Sequence, residues 1–285
     1  MRRPKQRNPR PRPVSKAELI RTALLTLIAE HQRAGAIPTS ARFLFYELVT
    51  RAVILKRAKG KRRPDQDMSD QLTVLRDAGD IPWDYIVDET RTVSDFTGEQ
   101  SIREGVLARL AYIDLDPWRG RPPIILCESR SLAGVLRGVC AEYCVPIAST
   151  NGQCRGFLHT KVAPLMFAGQ KVLYLGDLDL CGGDIEDNTR DVLERIVGEL
   201  DWERLALTQE QVDAYQLPSI TKRDKRFKGE RGVHEAVETE ALSQAVIVDI
   251  LRTRLEELLP EPLEAVQERA EEQRARLRTF LESLD

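Results

Sequence analysis

The stretch Lys171-Val-Leu-Tyr-Leu-Gly-Asp-Leu-Asp179-Leu-Cys-Gly-Gly-Asp184 constrains the chain more than any other. Val172, Leu173, Tyr174 and Leu175 are a short apolar run of β-forming residues. That pattern predicts a strand covered on both faces, as in a parallel sheet. Asp177 and Asp179 follow at once. On an extended segment, positions i and i+2 point to the same side, so both carboxylates are expected to face one spot. Like charges held close repel, and a hard divalent cation with oxygen ligands offsets that repulsion. Gly182 and Gly183 are predicted to turn the chain into a helix, with Asp184 near its start. In open α/β sheets, ligands bind outside the carboxyl ends of strands, which is where this pair falls. The plainer alternative is that Asp177 caps a turn and Asp179 is a solvated loop acid.

A second acid strengthens the metal reading. Pro122-Pro-Ile-Ile-Leu-Cys-Glu128-Ser129 is another short buried strand ending in a carboxylate, and a helix is predicted from about 131 to 143. If the two strands are parallel neighbours, Glu128, Asp177 and Asp179 converge. This arrangement resembles a Toprim domain, the metal-binding module of topoisomerases, some primases and some nucleases. The resemblance implies Glu128 as a metal ligand and general acid/base, with Asp177 and Asp179 as Mg²⁺ ligands; Mn²⁺ is the alternative ion. The Asp-x-Asp-Pro-x-Gly pattern of type IIB topoisomerase A subunits is kept at Asp177, Asp179 and Gly182, while Leu180 stands in place of the proline.

With 285 residues the chain is long enough for two modest domains. The net charge of −2 conceals an asymmetry, since residues 1–63 are strongly basic and residues 236–285 are acidic. A basic end suggests contact with nucleic acid. No run of apolar residues is long enough to span a membrane, and no apolar segment follows the basic start as in a secretory signal. The 5 cysteines are odd in number and lack paired C-x-x-C knuckles, so a reduced, cytoplasmic protein is expected. Cys127 and Cys181 read as buried small hydrophobes.

In chain order, residues 1–14 form a proline-broken basic tail expected to be disordered. Residues 15–95 suit a winged helix-turn-helix: Ser15 caps a first helix, a second covers 41–51, a third 67–78, and 81–88 reads as a strand. Within the second helix, Arg42 and Tyr46 are four apart and share a face. Type IIB topoisomerase A subunits, and the meiotic break-forming transesterases similar to them, carry Arg-x-x-Tyr-Tyr on such a helix. Here Arg42-Phe-Leu-Phe45-Tyr46 matches at the arginine and the last tyrosine. The resemblance implies Tyr46 as nucleophile with Arg42 beside it. The competing reading makes Tyr46 a core residue with its hydroxyl at the edge. Residues 76–91 resemble a stretch of phage and mobile-element proteins that pair a winged helix with Toprim.

A linker helix within 96–121 leads to the second domain, 122–242. Its strands and helices alternate, which argues for a parallel sheet. The predicted fold class is therefore α/β: a winged helix-turn-helix, then a Toprim domain, then C-terminal helices over 243–285. Arg155, and the basic loop with Lys222, Arg223, Lys225, Arg226 and Lys228, are candidate phosphate contacts. Glu240 takes the second acidic place of a segment resembling Glu-Leu-Asp-Ala-Leu in topoisomerase VI A subunits. The last helix can serve as a dimer arm, making a homodimer a candidate assembly.

The function expected from this reading is Mg²⁺-dependent cleavage of the DNA backbone, by a nuclease or a topoisomerase VI A-like transesterase. The nucleophile is either Tyr46, giving a protein–DNA ester, or a metal-bound water, giving hydrolysis. No P-loop is present, so a complete topoisomerase would need an ATPase partner subunit. The rival readings are a DNA-binding protein with a silent Toprim, and a Toprim enzyme of RNA processing or primer synthesis.

Overall fold

The computed structural model describes residues 15–56, 63–87, 97–152, 154–223 and 233–283. The tail 1–14, Asp88, Arg91, Lys225, Arg226 and Lys228 lie outside the described residues.

The chain opens with a helical unit. Helix α1 (Lys16–Arg33) is capped by the Ser15 hydroxyl, which accepts from the Glu18 amide. Strand β1 (Thr39–Ser40) leads directly into α2 (Ala41–Thr50), capped by Ser40. Helix α3 (Pro64–Asp77) starts earlier than the sequence pattern implied, because Pro64 fits the first helical turn, where its missing N–H costs nothing. The predicted strand 81–88 is instead a 3₁₀ turn, Trp83–Tyr85, and the two-residue β2 (Ile86–Val87). β2 pairs in parallel with β1. Ile20, Leu24 and Leu27 of α1 pack with Leu44 and Leu48 of α2 and Leu72 of α3. Truncating one of these leucines to alanine should cost about 2–5 kcal/mol.

Helix α4 (Ile102–Leu110) precedes the larger unit. There the chain alternates: β3 (Ile124–Cys127), α5 (Arg130–Glu142), β4 (Ile147–Ser149), the short α6 (Arg155–Phe157) with its π and 3₁₀ continuation to Leu165, β5 (Lys171–Leu175), α7 (Leu180–Val197) and β6 (Asp201–Ala206). The strands form one parallel sheet in the order β4-β3-β5-β6. The molecule is thus mixed α/β around a parallel sheet, as its alternating pattern predicted. Side-chain alternation splits the strands between two cores. Ile125, Cys127, Leu173 and Leu175 face α5, while Ile124, Leu126, Val172 and Tyr174 face α7.

After β6 come α8 (Gln209–Ala214), the antiparallel hairpin β7 (Ile220–Arg223) and β8 (Val233–Ala236), and a 3₁₀ turn, Thr239–Ala241. Lys222 and Arg223, predicted to lie in a loop, are therefore on a strand. Helix α9 (Gln244–Leu258) covers one sheet face through Ile247 and Leu251, and α10 (Leu263–Glu282) follows the Pro260-Glu-Pro262 break.

The helical unit is fastened to the sheet unit. Phe43 of α2 is fully buried in the sheet-side core. The Gln244 side-chain amide donates to the carbonyls of Ala36 and Pro38 at 2.9 and 2.8 Å. Among the described residues no helix is long and apolar enough to cross a membrane.

Candidate functional site

The sheet changes direction at one place. From β3 the chain winds outward to β4, then crosses back to place β5 on the other side of β3. The crevice beyond the carboxyl ends of β3 and β5 is the topological switch point of this sheet. Cys127 pairs with Leu175, so the residues that follow each strand emerge side by side. Glu128 is the first residue past β3, and its amide donates to the Leu175 carbonyl at 2.8 Å.

Glu128 and Asp177 meet here. The Asp177 amide donates to Glu128 Oε2 at 3.0 Å. Burial, and next the charge on Asp177, push the Glu128 carboxyl up to about 7. Asp179 and Glu240 add to that push, so the acids share one electrostatic neighbourhood.

Beyond β5, Leu178 bridges to Val237 and Asp179 keeps an extended backbone, and the helix follows at once. Helix α7 starts at Leu180, four residues before Asp184, and Asp179 is its N-cap, with Oδ1 accepting from the Gly182 amide at 2.7 Å. Gly182 and Gly183 lie inside the first turn rather than before it. Cys181, expected to be buried, is exposed on that turn. Gly182 is required for a different reason: a Cβ there would lie 2.4 Å from the Asp177 carbonyl oxygen and 3.3 Å from Glu128 Oε2.

A second segment closes the edge. Leu178 and Val237 exchange backbone hydrogen bonds, which brings the turn after β8 against the acid loop. Asp177 Oδ1 accepts from the Thr239 amide at 2.9 Å and its hydroxyl at 3.2 Å. Lys222 Nζ of β7 lies 2.7 Å from Asp179 Oδ2 and 3.8 Å from Glu238 Oε1. Burial works against the Asp179 charge, but the bonds from Lys222 and the Gly182 amide hold its carboxyl below the usual range.

Glu240 is a hub. It is almost wholly buried, and its Oε1 accepts from Ser129 Oγ at 2.7 Å and Ser131 Oγ at 3.0 Å. Arg42 Nε approaches the same oxygen at 3.1 Å, and Arg42 Nη2 lies 3.4 Å from Glu238. Glu240 Oε2 is buried without a hydrogen-bond partner. Burial disfavours the Arg42 charge, yet Glu240 and Glu238 outweigh it and raise its pKa.

Tyr46 is mostly buried, packs edge-on against Phe45 and lies under Lys56, whose Nζ is 4.5 Å from the ring centre. Tyr46, Arg42, Lys56 and Glu238 line one pocket of about 510 Å³. Lys56 Nζ is 3.9 Å from Glu238, and Glu238 in turn neighbours Lys222. The tyrosine pocket and the acid edge therefore share Glu238 and Arg42.

Of the other basic candidates, Arg155 contacts Asn188 at 3.4 Å, and Arg223 is exposed on β7. Sequence reasoning gave no role to Lys56, Glu238, Thr239 or Arg204. Arg204 of β6 donates to the carbonyls of Gly176 and Asp177 at 3.0 and 2.6 Å and pairs with Glu186, pinning the acid loop from behind. Glu238 and Thr239 adjoin Glu240, so the acidic Val237-Glu-Thr-Glu240 run was their one sequence signal.

The oxygen-only set of Glu128, Asp177 and Asp179 has the donor chemistry of a hard cation. Among the described residues, however, no group of three or more His, Cys, Asp or Glu side chains stands in an arrangement that could hold a metal ion. Each of these carboxylates has a partner within the protein: Glu128 accepts from the Asp177 amide, Asp177 from Thr239, and Asp179 from Lys222. The buried, unpartnered Glu240 Oε2 leaves further negative charge beside them.

The chain matches no known protein family, and no curated protein or solved structure is significantly similar to it. What fold and site define is thus a class: a parallel-sheet α/β protein with a carboxylate cluster at its switch point.

Proposed function

We propose that this chain is a divalent-cation-dependent enzyme that breaks the DNA phosphodiester backbone, built as a winged-helix and Toprim pair like the A subunit of topoisomerase VI. The observation that carries the reading is the meeting of Glu128 and Asp177 at the β3/β5 switch point, with Asp179 two residues further along the chain. A bound Mg²⁺ or Mn²⁺ would supply positive charge against the scissile phosphate and the leaving oxygen. Glu128, Asp177 and Asp179 would hold it, with Lys222 giving up Asp179. Glu128, with its raised affinity for a proton, is suited to proton transfer near neutral pH. Arg42, between the tyrosine pocket and the acid edge, would meet a phosphate.

Tyr46 is the candidate nucleophile because it opens onto the pocket that Arg42 and Glu238 share with the acid edge; water is the alternative. Supercoiled plasmid incubated with Mg²⁺ or Mn²⁺ tests the proposal. Nicked or linear product that disappears in Asp177→Ala supports it, whereas binding without breakage favours a silent DNA-binding module. A covalent protein–DNA adduct lost in Tyr46→Phe identifies the tyrosine, and unchanged cleavage in that variant excludes it.

A further inference from the structure

One carboxylate outside the candidate metal ligands stands among cations that do not hold it closely. Glu238 Oε2 lies 3.4 Å from Arg42 Nη2, while its Oε1 lies 3.9 Å from Lys56 Nζ and 3.8 Å from Lys222 Nζ. Well-formed charge-assisted hydrogen bonds are shorter, about 2.7–2.9 Å. Two of the same cations do better elsewhere: Lys222 is 2.7 Å from Asp179, and Arg42 is 3.1 Å from Glu240. The Glu238 side chain is only 13% exposed. Burial lifts its carboxyl above the ordinary range, and the charge of Arg42 does not cancel that effect. Glu238 is therefore an anion in a cationic setting that fits it poorly.

The cations arrive from three separate places: α2, the segment just after it, and β7. Arg42, Lys56 and Glu238 line the pocket of about 510 Å³ beside Tyr46, and Lys222 reaches Glu238 from the acid edge. A carboxylate offers two oxygens in one plane, which cannot meet three such donors closely. A phosphate group offers a tetrahedron of oxygens, and it suits an arginine fork together with the point charges of lysines. The backbone on either side of Glu238 is held without its side chain. Val237 is bridged to Leu178, and the Thr239 amide donates to Asp177. Rotation of the Glu238 side chain alone would thus vacate the pocket and leave the acid edge in place.

We propose that Arg42, Lys56 and Lys222 form a phosphate subsite that Glu238 occupies in the free protein and yields to a backbone phosphate of DNA. The carboxylate is an internal stand-in: it offsets the three charges while the pocket is empty, and any entering anion must outcompete it. The choice of DNA rests on the cleavage reading, whereas the displacement of Glu238 does not require that a strand be cut.

Fluorescence anisotropy with a labelled duplex oligonucleotide, run on the full chain in chelator so that nothing is cleaved, tests it. Glu238→Gln should bind about tenfold tighter than the wild type. Its fold is kept, because Arg42 retains Glu240 and Lys222 retains Asp179. Glu235→Gln, which removes an exposed acid of β8, should gain far less. Lys56→Met should weaken binding more in the Glu238→Gln background than in the wild type, since Glu238 no longer competes for the ammonium. On the wild type itself, bound duplex should protect Lys56 and Lys222 from acetylation. Equal gains in the two glutamine variants, no gain in Glu238→Gln, additive effects of Lys56→Met, or unprotected lysines would each overturn the proposal. So would stabilisation of Glu238→Gln by inorganic phosphate with no gain for the duplex, which would make the pocket a free-anion site. Plasmid left uncut in the separate Mg²⁺ assay, with the expected binding results in hand, would remove the cleavage reading and leave this inference standing.

Discussion

Arg42 Nε lies 3.1 Å from Glu240 Oε1, and that same oxygen accepts from Ser129, the residue after Glu128. One buried carboxylate therefore ties the Tyr46 helix to the strand end that carries Glu128. The two units are thus joined at the candidate site as well as through Phe43 and Gln244.

Removing that tie should be measurable without any substrate. Glu240→Gln removes the charge that faces Arg42, while its amide oxygen can still accept from Ser129 and Ser131. Arg42 keeps access to water and to Glu238, so the cost is moderate, about 1–3 kcal/mol in urea unfolding. A double-mutant cycle with Arg42→Ala should give a coupling energy of about 0.5–3 kcal/mol. Additive effects would mean that the contact does not join the units.

Glu128 sets a pH dependence. Its carboxyl titrates near 7 when folded, above an ordinary value of 4.5. Between those values the folded protein keeps a proton that the unfolded chain has released. Stability should therefore fall as pH rises through this window, and the penalty is complete above about 7. Thermal melts in chelator across this range should show that slope in the wild type and a flatter one in Glu128→Gln.

The His31–Glu47 pair gives a second, independent slope. His31 Nε2 lies 2.8 Å from Glu47, and both are largely buried. Burial opposes the imidazolium, but Glu47 outweighs it and raises the His31 pKa above 6.5. The stability this contributes is full below pH 6.5 and is lost as pH rises through the higher folded value. Glu47→Gln should destabilise more at pH 6 than at pH 8. Equal losses at both pH values would contradict the charged pair.

How much of this was legible beforehand follows from the physics of each signal. Apolar runs bounded by turns report burial directly, so the parallel sheet and the positions of Glu128, Asp177 and Asp179 beyond strand ends could be read. The start of α7 could not, because Leu180-Cys-Gly-Gly looks like a turn until Asp179 caps it. Lys56, Arg204 and Glu238 reach the site from segments whose approach is fixed by packing, such as the Leu178–Val237 bridge, which leaves no local pattern. The Lys222 contact was likewise hidden, since a basic run reads as a loop whether or not it forms a hairpin.

Two glycines in one helical turn should respond oppositely to a methyl group. Gly182→Ala places Cβ against the Asp177 carbonyl, which is backbone and cannot swing away. The loop has to shift, costing about 1–3 kcal/mol. Gly183→Ala meets nothing within 4 Å and should be stabilising by about 0.4–1 kcal/mol through the unfolded chain. Paired thermal melts decide between this and equal responses.

The central claim is that the acid edge takes a divalent cation, and calorimetric titration of Mn²⁺ or Mg²⁺ into the full chain tests it most directly. Saturable binding is expected at pH 8, where Glu128 is ionised, with loss in Asp177→Asn/Asp179→Asn and strengthening in Lys222→Met as the competing ammonium is removed. A titration without heat at this pH, or binding that survives Asp177→Asn/Asp179→Asn, would contradict the account.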